Sequence, residues 1–187
     1  MTMNTNTNTN IIRPRFLARA GLCAAALAIL GGCAAMPHGG DEVVRHKIPN
    51  SSFPISAAIE VPAGATRVLL SGKVPPKVDA SKAATDPAAY GGDTQGQTVA
   101  VLKSIESQLV GLGLSLKDVV KMQVYLVGDP AKGGKMDFAG FMDGYVQFFG
   151  TPAQPNLPTR SAFQVAGLAN PAYLVEIEVE AVRRPAH

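Results

Sequence analysis

The stretch Leu174-Val175-Glu176-Ile177-Glu178-Val179-Glu180-Ala181-Val182 alternates apolar and acidic residues without a break. Strand side chains point to opposite faces with period two, so Glu176, Glu178 and Glu180 share one face while Val175, Ile177 and Val179 share the other. Val119 to Val127 repeats the polar–apolar alternation and reads as a second half-buried strand. Ser56 to Val61 and Arg67 to Leu70 flank Pro62-Ala63-Gly64-Ala65-Thr66, which suggests a hairpin. Thr94-x-x-Gln97 has the form of a capping box, Val99, Leu102, Ile105 and Leu109 recur at helical spacing, and Gly111 and Gly113 stop the helix. Asp137 caps a second helix whose apolar face is Phe138, Phe141, Met142, Tyr145, Phe148 and Phe149, a stripe that reads as core. The proline-rich segment from Thr151 to Pro158 leads into a strand at Arg160. The order β-β-α-β-α-β-β predicts a single α+β domain, a mixed sheet packed on two helices.

The first 32 residues read as an address. A polar Thr/Asn repeat precedes Arg13, Arg15 and Arg19, an apolar run from Ala20 to Leu30, and Leu30-Gly31-Gly32-Cys33. The apolar run is too short to span a bilayer, and the order is that of a signal peptide. Its end resembles a bacterial lipobox, which implies a lipidated Cys33 as the mature N-terminus; the alternative is an ordinary signal peptide containing a cysteine. The expected organisation is a leader over residues 1–32, a lipidated tether over 33–52 and a folded domain over 53–187. The expected location is the periplasmic side of a bacterial membrane, and Ala34 after the cysteine, where no aspartate retention signal stands, leans toward the outer membrane.

Removing the leader changes the charge. The formal net charge of the whole chain is +3, but the leader holds three arginines and no acids, leaving 14 basic against 14 acidic residues. A neutral domain without a Lys/Arg cluster gives no electrostatic case for nucleic acid. The two cysteines, Cys23 and Cys33, fall in the leader and at the lipidation site, so the domain has no disulfide and no thiol nucleophile. His38, His46 and His187 lie outside the patterned core, which argues against a histidine metal site or a Ser-His-Asp triad.

The candidate site centres on Asn156-Leu157-Pro158-Thr159-Arg160-Ser161-Ala162-Phe163. An arginine fixed after a proline presents a planar fork of donors suited to a carboxylate. On a strand edge, the same residue could simply pair with a neighbouring acid. A glutamate of the late strand could orient or deprotonate a water. Three adjacent carboxylates would repel one another if all were buried, and Glu180 reads as solvated.

Val68-Leu69-Leu70-Ser71-Gly72-Lys73-Val74-Pro75, Asp118-Val119-Val120-Lys121, Phe138 to Phe149, Pro158-Thr159-Arg160-Ser161 and Val175-Glu176-Ile177-Glu178, in this order and spacing, resemble the RidA (YjgF-like) family over about residues 56–184. The resemblance implies a chorismate-mutase-like homotrimer with clefts between subunits. It implies hydrolysis of small enamine or imine acids to 2-oxo acids and ammonia without a cofactor. On that pattern Arg160 grips the substrate carboxylate, Glu176 serves the attacking water, with Glu178 as the fallback because the loop from Ala166 to Tyr173 varies in length, and Ser71 and Gly72 line the cleft. Three positions depart from it: Ala162 stands for the family's cysteine, Met142 for its asparagine, and the pocket tyrosine has only Phe53 nearby. Those departures leave a non-catalytic carboxylate-binding trimer as the alternative, and ribonuclease or translation inhibition as a third reading that the charge balance opposes.

Overall fold

The computed structural model describes residue 40 and residues 42–184; the leader, Cys33 and His187 lie outside the described residues. Six strands and two helices follow one another as β1 (Val44–Lys47), β2 (Ser56–Glu60), β3 (Thr66–Lys73), α1 (Thr94–Gly111), β4 (Val119–Val127), α2 (Phe138–Tyr145), β5 (Thr159–Val165) and β6 (Val175–Arg183). β3, β6, β4 and β5 lie side by side in that order in a four-stranded sheet. β4 and β5 run parallel, as the intervening crossover through α2 allows, while β6 is antiparallel to both β3 and β4. The sheet is therefore mixed and packs on two helices. No helix among the described residues is long and apolar enough to cross a membrane.

The core forms where the alternating strands meet the helices. Val124 and Leu126 of β4, Val175 and Ile177 of β6, and Val101, Leu102, Ile105 and Leu109 of α1 have no exposed surface. Each large apolar side chain so buried stabilises the fold by about 1.5–3 kcal/mol relative to an exposed one. The two helices approach closely at Gly144, where an added Cβ would stand 2.8 Å from the Cβ of Thr98.

Four sequence expectations are corrected. β2 and β3 do not form a hairpin: β2 pairs with β1, and β3 pairs with β6. The nine-residue β6, with its buried alternate face, gives β3 a partner and a core, whereas β2 offers only alanines and one isoleucine between Ser56 and Glu60. The tether expected over 33–52 contains β1, which carries almost no buried surface. It is held instead by strand pairing and by Arg45, whose Nε donates to the Leu157 carbonyl at 3.2 Å and whose Nη2 donates to Lys117 and Val119 carbonyls, each at 3.0 Å. The cap of α1 is Asp93, which accepts from the Gly96 amide at 2.8 Å, not Thr94. Gln97 is fully buried and ties the helix to the loop before β6, donating to Ala172 and accepting from Leu174, both at 2.8 Å. Glu180 is not solvated, since its side chain is 12% exposed and chelated by Arg67.

Candidate functional site

Strand register decides which way Arg160 points. It stands opposite Met122 of β4, which stands opposite Val179 of β6, and both of those are buried under the helices. Arg160 therefore projects to the helix side, under the aromatic stripe of α2. Its guanidinium carbon lies 4.4 Å from the ring centre of Tyr145, 5.0 Å from Phe141 and 5.7 Å from Phe138. The Phe53 ring, from the link between β1 and β2, closes in at 5.4 Å. Ring faces carry negative potential and hold a cation at these distances.

Nη1 of Arg160 is buried without a hydrogen-bond partner, and no acid pairs with the guanidinium among the described residues. The Tyr145 hydroxyl donates to the Pro54 carbonyl at 2.9 Å. Burial draws the pKa of Arg160 below its ordinary value, partly offset by Tyr145, and burial pushes the Tyr145 hydroxyl up. A desolvated guanidinium with an unused Nη1 donor is an incomplete arrangement that an anion would complete. A cleft of about 390 Å³ opens beside it, bordered by Ile55, Ser56, Met122, Thr159 and Arg160.

Ala162, two residues on along the same face of β5, and Met142, in the same helical stripe as Phe138 and Tyr145, both pack against the core. Read from sequence as core, the stripe performs that task and also encloses Arg160. Its density of rings, at residues 138, 141 and 145, was the available signal for the second role.

The glutamates occupy the opposite face. Tyr125, Gln123 and Lys121 of β4 stand opposite Glu176, Glu178 and Glu180 in turn. Arg67 binds Glu180 through Nε at 2.6 Å and Nη2 at 2.7 Å, and this bonding holds the Glu180 carboxyl below its ordinary value. Glu178 accepts from the Tyr125 hydroxyl at 3.1 Å. Burial, then the bond to Glu178, raises the pKa of Tyr125, whose ring stacks on Phe163 with centres 6.4 Å apart. Phe163 is 48% exposed, so it belongs to this open face and not to the core.

Glu176 is the member of the trio without a hydrogen bond among the described residues. Its carboxylate lies directly over Gly72, in the irregular stretch of β3 between Leu70 and Lys73. A Cβ at Gly72 would collide with Oε1 of Glu176 and come within 2.9 Å of its Cδ. The structure thus brings Gly72 to Glu176, with Ser71 exposed alongside, and brings Arg160 to Ala162 and the α2 stripe. It does not bring the two groups together within one chain, because they occupy opposite faces of the sheet.

A family described as endoribonuclease L-PSP matches residues 46–183. The chain is 38% identical over 91 residues to TdcF of Escherichia coli, whose name assigns it provisionally to the reactive intermediate deaminases. That match covers 49% of this chain and 64% of TdcF. A RutC family protein of Pyrococcus abyssi is 30% identical over 140 residues, covering 75% of this chain and 93% of its own length. Among solved structures, YyfB of Yersinia pestis, a Rid-family protein of unknown function, superposes with a TM-score of 0.55 at 24% identity, over 75% of this chain and 96% of that one.

Proposed function

The chain belongs to the endoribonuclease L-PSP (RidA/YjgF) family, and from that premise we propose that it hydrolyses small imine or enamine acids to 2-oxo acids and ammonia. The observation that carries this reading is the buried, partnerless Nη1 of Arg160. A substrate carboxylate bound in the guanidinium plane supplies the missing acceptor and fixes the adjacent imine carbon. Glu176 takes a proton from water as the water oxygen attacks that carbon. An enamine first takes a proton at Cβ to become the imine. As water adds, the imine nitrogen takes up a proton; the carbinolamine nitrogen, protonated in turn by Glu176, leaves as ammonia while the hydroxyl releases its proton and becomes the carbonyl of the 2-oxo acid. No step calls for a redox group.

Opposite faces of one sheet cannot serve one substrate, so the proposed site is shared between copies. One chain gives Arg160, Ala162 and Met142, and its neighbour gives Glu176, Gly72 and Ser71, in a homotrimer. Leu69, 71% exposed, and Phe163 on the glutamate-bearing face support such an assembly. Turnover is tested with 2-iminopropionate and 2-iminobutyrate generated in situ by an amino-acid oxidase. The purified protein is expected to speed 2-oxo acid release and Arg160→Ala is not; no acceleration by trimeric wild type refutes the reading. Mixing and reassembling Arg160→Ala with Glu176→Gln is expected to restore about one quarter of wild-type activity, through sites that pair an intact Arg160 with an intact Glu176. Absence of recovery refutes the shared site.

A second reading, a carboxylate-binding trimer without turnover, is favoured by apolar Ala162 and Met142. Ligand binding lost in Arg160→Ala, with no turnover in wild type, is its signature. RNA cleavage is not proposed, because the neutral charge balance expected after loss of the leader supplies no attraction, and no histidine among the described residues stands at Arg160 to give an acid–base pair. We also propose that Cys33 carries a lipid on the periplasmic side of the membrane, supported by the basic, apolar and Leu-Gly-Gly-Cys order of the leader. Metabolic labelling with a fatty acid, lost in Cys33→Ser, tests this.

A further inference from the structure

We infer that the Arg160 site selects carboxylates whose remainder is apolar, with Phe53 as the residue that sets the preference; this rests on the reading of Arg160 as a carboxylate anchor. The polar side chains of this chain nearest the anchor, Tyr145, Ser56 and Thr159, are engaged with the backbone, while Lys121 and Ser161 border the cleft from the sheet face turned away from Arg160. The Tyr145 hydroxyl donates to Pro54 at 2.9 Å, the Ser56 hydroxyl to Leu157 at 2.7 Å, and the Thr159 hydroxyl to Val120 at 3.1 Å. What remains near the guanidinium is ring and methyl surface from Phe53, Phe138 and Phe141, with Met142 and Ala162 on the same side of the sheet.

A ligand that reaches the guanidinium with its carboxylate therefore meets, on the helix side of the sheet, one charge and an apolar wall. A hydroxyl or second carboxylate placed against that wall loses water and finds no partner, and an alkyl or aryl group gains contact. Phe53 differs from the other rings in its setting. It lies outside α2, in the link between β1 and β2, and is 41% exposed. Its place over Arg160 is held by the Tyr145 bond to Pro54, the Ser56 amide bond to Pro158 at 2.9 Å, and the Ser56 hydroxyl bond to Leu157. It is thus a fixed yet accessible wall, able to touch a ligand without belonging to the core.

The test is a binding comparison by calorimetry on the purified trimer, independent of turnover. The probes are 4-methyl-2-oxopentanoate and phenylpyruvate against 3-hydroxypyruvate and 2-oxoglutarate. Wild type is expected to bind the first pair roughly tenfold or more tightly than the second. Phe53→Ser, an exposed loop position, is expected to narrow that gap several-fold and keep the fold intact; Met142→Asn is expected to improve 3-hydroxypyruvate specifically. Equal affinities in wild type, or a gap in Phe53→Ser as wide as in wild type, overturn the inference and leave the anchor standing. Failure of all four acids to bind, or equal binding by Arg160→Ala, removes the anchor and the inference together.

Discussion

Replacing Gly72 by alanine separates a role in seating Glu176 from a role in binding substrate. The new Cβ would overlap Oε1 of Glu176 and stand 2.9 Å from Cδ and 3.2 Å from Cγ, all of them inside ordinary contact. The glutamate must rotate away, which moves its carboxylate by about 1 Å or more. Misplacement on that scale costs a catalytic group on the order of 100-fold in rate. Stability should hardly respond. An off-rotamer glutamate costs about 0.5–1.5 kcal/mol, and the loss of glycine's freedom in the unfolded chain returns about 0.4–1 kcal/mol. Arg160, on the other face of its own sheet, is untouched by the change. The expected result is therefore a kcat lower by about 100-fold with KM within a few-fold of wild type and a near-normal Tm. In a Glu176→Gln background the same alanine should add almost nothing, because both changes remove one function. Unaltered kcat in a well-folded Gly72→Ala protein would refute the argument. A raised KM with unchanged kcat would instead make Gly72 a contact of the substrate.

Three further changes address the remaining groups. Arg160→Met removes a desolvated charge without removing packing, so Tm is expected to hold or rise by a few degrees (~1 kcal/mol) while binding of 2-oxo acids disappears; a large fall in Tm would make Arg160 structural. Arg45→Ala deletes hydrogen bonds to three carbonyls and should cost about 1–3 kcal/mol, with amide exchange rising first over residues 44–60. Glu180→Gln tests linkage: the folded-state pKa of Glu180 is lowered by Arg67, so its stabilisation is complete above the ordinary value of 4.5 and fades as pH falls through the lowered value. Wild type should exceed Glu180→Gln in Tm at neutral pH, by a small margin since Arg67 is exposed, and the two should converge in acid. A constant gap at all pH values would mean that the bond, not the charge, matters.

The parts of the fold legible in the sequence were those built on period. Val119 to Val127 and Leu174 to Val182 declare two central strands through alternation, and Leu102, Ile105 and Leu109 declare a helix. β1 was not legible, because Val44–Lys47 has no apolar face and depends on an arginine reaching three distant carbonyls, a purely tertiary support. The β2–β3 hairpin was misread for a related reason: the five-residue turn suits a hairpin locally, but β6 competes for β3 with a longer, better-buried edge. At the site, period two was enough to put the three glutamates together. It could not say that Arg67 takes Glu180 and Tyr125 takes Glu178, since those pairings depend on register between strands far apart in sequence. The ring enclosure of Arg160 lay between the two cases. Its members were visible as a stripe on α2, but one stripe cannot reveal that a charged residue from β5 lies beneath it.

The enclosure constrains how a chain of this kind can drift over generations. Phe141 and Tyr145 are fully buried and stack onward, Tyr145 on Phe149 with centres 4.9 Å apart, so a substitution there harms folding before it can alter ligand preference. Phe53 is under no such restraint, because it meets Arg160 from a link whose bonds to the body run through backbone carbonyls and amides at Pro54 and Ser56. Variation in taste for ligands is therefore expected to collect at residue 53 and its neighbours, while residues 141 and 145 stay aromatic. A lineage could change what it accepts by editing a short exposed link and leave its foundations as they are.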